Sequence, residues 1–113
     1  MKKILVLVVM CFFLCACSES EKNGNAIEKL MQENEYVILD VRSESEFSEN
    51  HLVGAINVPY DKIDEKTELD KEKIIFVYCK SGARSGIAYE TLTDLGYTVY
   101  DLGSFAEIDL PKE

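Results

Sequence analysis

Two stretches of this chain, Tyr36-Val37-Ile38-Leu39-Asp40-Val41 and Ile74-Ile75-Phe76-Val77-Tyr78, are too continuously apolar for strands with one wet face. Strands buried on both faces read this way, and parallel sheets create such positions. Thr98 to Leu102 reads as a last strand, and Ala55-Ile56-Asn57-Val58, closed by Pro59, as an edge strand. Segments of helical spacing lie between them. Asn25 with Glu28 and Ser43 with Glu46 have the spacing of capping boxes. The first precedes Ile27, Leu30 and Met31 on one face, and the second opens a short helix through Phe47 that stops near Asn50. Ser85 to Leu95 puts Ile87, Ala88, Thr91, Leu92 and Leu95 on one side, with Gly96 placed to close that helix. Residues 60 to 73 are charge-rich around Ile63 and Leu69, which predicts a weak, solvated helix. The alternation predicts an α/β fold, a small parallel β-sheet with right-handed crossovers and helices on both faces. Ligands of such sheets bind beyond the carboxyl ends of the strands. Here those ends are Asp40-Val41-Arg42, Cys79-Lys80-Ser81 and Asp101-Leu102-Gly103.

The N-terminus has a different character. Lys2 and Lys3 precede an uncharged run of 13 residues, Ile4 to Ala16. That is the layout of a secretory signal peptide, and it falls short of the roughly 20 residues a bilayer-crossing helix needs. A core helix is the plainer alternative, but cations directly ahead of an unbroken apolar stretch fit export better. Leu14-Cys15-Ala16-Cys17 resembles a lipobox, with Cys17 the better acceptor because small Ala16 precedes it. The expectation is an exported protein, held by a lipid on Cys17 at the extracytoplasmic face of a bacterial membrane. Cleavage without lipidation is the alternative. Residues 1–17 would then be the signal peptide, polar residues 18–24 a flexible tether, and residues 25–113 one domain.

Cysteine usage follows from this division. Cys11 and Cys15 leave with the signal peptide and Cys17 takes the lipid, so Cys79 remains with no partner for a disulfide. It is then either buried and inert or reactive. Loss of Lys2 and Lys3 leaves 10 Lys and Arg against 21 Asp and Glu. So acidic a chain argues against nucleic acid as a partner and against adsorption to anionic lipid.

Cys79-Lys80-Ser81-Gly82-Ala83-Arg84-Ser85-Gly86 joins a buried strand to a helix start. Backbone N–H groups can curl round one point there, and the positive end of the following helix favours an anion. Lys80 and Arg84 add formal charge, which pulls a thiol toward the nucleophilic thiolate. Gly82 and Gly86 let the backbone approach a ligand closely. The plain alternative is a small apolar cysteine at a strand end.

Four motifs in order, from about Tyr36 to Asp101, resemble the single-domain rhodanese (thiosulfate sulfurtransferase-like) family. They are Asp40-Val41-Arg42, the stretch Glu49-Asn50-His51-Leu52-Val53-Gly54-Ala55-Ile56-Asn57-Val58-Pro59, the loop Cys79 to Arg84, and Gly96-Tyr97 before the last strand. The resemblance implies that Cys79 takes the outer sulfur of a small anionic donor such as thiosulfate, and passes it to cyanide or a thiol acceptor. It implies no metal and no organic cofactor. Lys80, Ser81, Gly82, Ala83 and Arg84 would hold the donor and the persulfide, with Arg84 also able to brace the loop. Asp40 and Arg42 would support the site through structural hydrogen bonds, and His51 would pack a turn.

Two rival functions use the same loop. Cysteine phosphatases and arsenate reductases of a related fold carry Cys-x5-Arg, whereas four residues separate Cys79 from Arg84. The tighter ring suits a sulfane sulfur better than a tetrahedral oxyanion. A catalytically silent binding or redox-sensing module is the other rival, since fold alone never fixes function. The family often has a short strand ahead of its first helix and a tryptophan after the glycines of its last strand. Residues 18–24 show no strand, and Phe105 is the nearest aromatic in a chain without tryptophan.

Overall fold

The computed structural model describes residues 23–113, and the signal peptide and lipobox readings, Cys17 included, lie outside them. The chain divides into two compact units after Glu33. Within the described part of the first, α1 spans Asn23–Glu33. It begins two residues ahead of Asn25, the kind of shift expected where a helix end frays. Ile27, Leu30 and Met31 are half-buried there while Glu28, Lys29, Gln32 and Glu33 are exposed.

The second unit, Asn34–Glu113, holds an α/β sheet of four parallel strands. These are β1 (Tyr36–Asp40), β2 (Ile56–Asn57), β3 (Ile74–Cys79) and β4 (Thr98–Ser104), in the spatial order β2-β1-β3-β4. Helix α2 (Glu44–Glu49) follows β1, and α3 (Ala83–Asp94) crosses from β3 to β4. Short 3-10 turns occupy Tyr60–Lys62 and Phe105–Glu107.

Side chains alternate across β3 with the strand period of two, so the two faces carry different cargo. Ile75, Val77 and Cys79 join Leu39, Val41 and Val99 in one core cluster with Ala88 and Leu92 of α3. On the opposite face Phe76 lies between Tyr36 and Tyr100, each 5.8 Å away between ring centroids, and Tyr78 stacks on Phe105 at 5.6 Å. Helical structure thus borders both faces of the sheet, as α3 on one and the Phe105–Glu107 turn on the other. Phe105 also has the Arg42 guanidinium 4.5 Å from its ring centroid.

Three sequence expectations change. Residues 64–73 form turns rather than a helix. Asp64 accepts from the N–H of Lys66 and Asp70 from that of Glu72, both at 2.9 Å, so the aspartates bond to the backbone that a helix would need. Ile87 is exposed, because the buried stripe of α3 runs through Ser85, Ala88 and Leu92, to one side of it. And β4 runs on to Ser104 through a bulge, Val77 pairing with Asp101 but Tyr78 with Gly103. The extra residue is accommodated by Gly103 at φ +86°, where the Asp101 carboxylate accepts its N–H at 2.9 Å.

Candidate active site

Strand β3 delivers two adjacent side chains to opposite faces at its carboxyl end. Tyr78 goes to a buried polar network. Its hydroxyl donates to Asp40 at 2.7 Å and accepts the Leu52 N–H at 3.0 Å. Asp40, fully buried, also holds Arg42 through contacts of 2.6 to 3.0 Å, and the same guanidinium donates to the Asn50 carbonyl at 2.6 Å. Burial works against the Arg42 cation, but the bonds and charge of Asp40 outweigh it and raise its pKa. Burial likewise pushes the Tyr78 phenol up, so it stays neutral. Asp40, Arg42 and Tyr78 thus tie β1 to β3 and hold the segment from Asn50 to Leu52.

Cys79 goes to the α3 face and is completely buried. The chain after it turns at Gly82, whose φ of +98° only glycine adopts at low cost, and enters α3 with Ala83. This turn aims N–H groups back at the sulfur. Gly82 N lies 2.9 Å and Ser85 N 3.3 Å from Sγ, with the Ser85 hydroxyl at 3.6 Å. Burial pushes the Cys79 thiol up, but the Ser85 hydroxyl and the N–H groups of Ser85, Gly82 and Ser81 more than offset this. The net result is a thiol more acidic than usual, which favours the nucleophilic thiolate.

The remaining loop residues separate into different roles. Arg84 does not face open solvent as a free cation: its terminal nitrogens reach the two carboxylate oxygens of Glu46 at 2.8 and 3.2 Å. Glu46 is itself the N3 residue of the α2 capping box with Ser43. Lys80 is exposed, and its carbonyl accepts from Ser104 Oγ at 2.8 Å, which fastens the loop to the end of β4. Ser81 Oγ accepts the Ala83 N–H at 3.5 Å, a weak turn contact. Gly86 lies in α3 with open space where a Cβ would stand, so its backbone makes no demand for glycine. His51 is packed structurally: its ring stacks on Phe47 at 4.0 Å, and its Nδ1 lies 2.8 Å from the Phe47 carbonyl, which makes that nitrogen the protonated one. Ser85, Glu46 and Ser104 were not singled out as site residues from sequence. Only Ser85 carried a signal, a polar residue on the inward face of the first turn of α3.

A cleft of about 340 Å³ opens beside the loop, walled by Val41, Pro59 and Tyr60 and reaching Arg84. The Tyr60 N–H donates to the Val41 carbonyl at 3.0 Å and so fixes this wall to the end of β1.

The family model of the rhodanese-like domain matches residues 24–109. The thiosulfate sulfurtransferase PspE of Escherichia coli (strain K12) is 37% identical over 78 residues, 66% of this chain and 75% of that protein. The thiosulfate sulfurtransferase GlpE of Coxiella burnetii is 34% identical over 76 residues, 66% of this chain and 71% of the other. YqhL of Bacillus subtilis (strain 168), an uncharacterized protein, is 31% identical over 111 residues, 90% and 88% of the two chains. Among solved structures, a rhodanese with anions from E. coli superposes with a TM-score of 0.63 at 32% identity, over 69% of this chain and 96% of that one.

Proposed function

The chain belongs to the rhodanese-like domain family, and from that premise we propose that it is a sulfurtransferase whose nucleophile is Cys79. The observation that carries the proposal is the convergence of the Gly82 and Ser85 N–H groups on the sulfur, at 2.9 and 3.3 Å. These donors stabilise a thiolate and, after reaction, negative charge on the sulfur it has bound.

In the proposed cycle the Cys79 thiolate attacks the outer sulfur of thiosulfate or a similar donor. The donor S–S bond breaks, sulfite leaves with the electron pair, and a Cys79 persulfide remains. Cyanide or a thiolate then attacks the outer sulfur of the persulfide and the electron pair returns to Sγ. The donor reaches the buried sulfur through the ring of Lys80 to Arg84, where exposed Lys80, in no ion pair among the described residues, supplies the cation. Arg84 acts as a brace, since Glu46 already neutralises it.

Incubation of the full chain with thiosulfate should add one sulfur atom, seen in the intact mass, and cyanide should then release thiocyanate. Absence of the adduct, or equal turnover by Cys79→Ser, would reject the proposal. The relatives named as thiosulfate sulfurtransferases support thiosulfate as the donor to try first.

We propose further that the protein is exported and held at a bacterial membrane by a lipid on Cys17, on the strength of Leu14-Cys15-Ala16-Cys17 after an uncharged run. Cys17→Ala should release it from membranes, and unchanged membrane retention would reject this anchor.

A further inference from the structure

The cleft beside the loop has walls, charge and position that the donor half of the cycle leaves unused. We propose that it is the subsite of the sulfur acceptor, and that the acceptor is a small thiol carrying its own ammonium group. This rests on the sulfurtransferase reading and gives the class of its second substrate.

Charge bookkeeping of the lining decides the class. Two arginines line the cleft, but both are committed: Arg42 to Asp40 and the Asn50 carbonyl, Arg84 to Glu46. The other charged residues of the lining are Glu44, Asp61 and Lys62, all exposed and none in an ion pair among the described residues. Two free carboxylates therefore face one free ammonium, in a chain whose formal net charge is already −9. Such a cleft repels an anionic thiol and attracts one bearing a cation. Val41, Pro59 and Tyr60 offer an apolar wall for the short carbon chain between thiol and ammonium.

Position supports the assignment. The strand order β2-β1-β3-β4 places the cleft, built on the end of β1, to one side of the sulfur loop. The loop's Lys80 backbone is fastened to Ser104 of β4 on the other side. Attack on the outer sulfur and departure from it lie on one line with Sγ, so donor and acceptor use that position in turn, with the acceptor's carbon chain lying toward the cleft on the β1 side. The transfer balances without an added oxidant or reductant: the acceptor thiolate bonds to the outer sulfur of the Cys79 persulfide, the S–S bond breaks, and its electron pair returns to Sγ as the acceptor leaves as a persulfide.

The test loads the full chain with thiosulfate, confirms the adduct by mass, and follows its discharge by 2-aminoethanethiol, 2-mercaptoethanol and 3-mercaptopropionate at equal thiolate concentration. At low salt the amino thiol should discharge the persulfide about three- to tenfold faster than the carboxylate thiol, with the neutral one between, because exposed charges give modest and screened effects. High salt should compress the ranking, as should the double variant Glu44→Gln, Asp61→Asn. A carboxylate thiol that is equally fast, or an amino-thiol advantage that survives in the double variant, would overturn this inference alone. Failure to form the adduct would overturn the sulfurtransferase reading with it.

Discussion

Glu46 and Arg84 meet as a two-pronged pair, carboxylate oxygens to guanidinium nitrogens at 2.8 and 3.2 Å, across 38 positions of sequence. One partner caps α2 and the other begins α3, so a single ion pair joins the helix after β1 to the loop that surrounds the sulfur.

The first prediction concerns acid. The bond to Arg84, ahead of those from Ser43, holds the Glu46 carboxyl at about 2, below its ordinary 4.5. A depressed carboxylate contributes stability that is fully present above its ordinary value and is lost as pH falls toward the folded one. Glu46→Gln, which keeps an acceptor for the cap, should lower stability by about 1 kcal/mol at neutral pH, the pair being about a quarter exposed. Urea midpoints should show wild type and variant converging between pH 4.5 and pH 2. A constant gap across that range would refute the assignment.

Ser85→Ala tests the thiol. Burial opposes the thiolate and the Ser85 hydroxyl is the strongest single influence in its favour. Removing it should move the pH inflection of iodoacetamide alkylation at Cys79 upward and slow persulfide formation severalfold at pH 7. The backbone N–H groups remain, so activity should fall without vanishing. An unmoved inflection would show that the hydroxyl does not set the acidity.

Asp40→Ala should cost about 3–5 kcal/mol, because it strands the Arg42 cation in a site only 4% exposed. Tyr78→Phe should cost less, about 1–3 kcal/mol, since it leaves the Leu52 N–H and one carboxylate lone pair unmet. Both losses are read from denaturant midpoints. The Tyr78→Phe protein should keep its rate of persulfide formation, as the phenol lies on the face away from the sulfur.

Glycine exchanges should separate two neighbours. Gly82→Ala forces a side chain into φ +98° and should cost about 1–2 kcal/mol while disturbing the N–H groups aimed at Sγ. Gly86→Ala, in helical backbone with open space at Cβ, should instead stabilise by up to about 1 kcal/mol. Thermal unfolding of the two variants should move in opposite directions.

The elements most legible in the sequence were those specified locally. β3 announced itself by an unbroken apolar run and α2 by the Ser43 and Glu46 cap, while the candidate site was marked by the cysteine that ends that strand. What stayed hidden depended on partners far along the chain. Nothing near Arg84 says that its charge is spent on Glu46, and nothing near Lys112 predicts its antiparallel bridge with Leu52. The turns at residues 64–73 were misread because a charge-rich segment resembles a solvated helix until its aspartates are seen bonding to the backbone two residues on.

Tyr78 and Cys79 are neighbours on one strand with opposite destinations, and that makes the thiol a proofreader of strand alignment. A slip of β3 by one position would drive the phenol toward α3 and turn the sulfur to the aromatic side, away from every donor that acidifies it. Mild-pH reactivity of this one thiol would then vanish while helix and sheet content stayed nearly unchanged. A substrate-free alkylation assay can therefore grade refolded or redesigned versions of the chain by whether the central strand has found its mark.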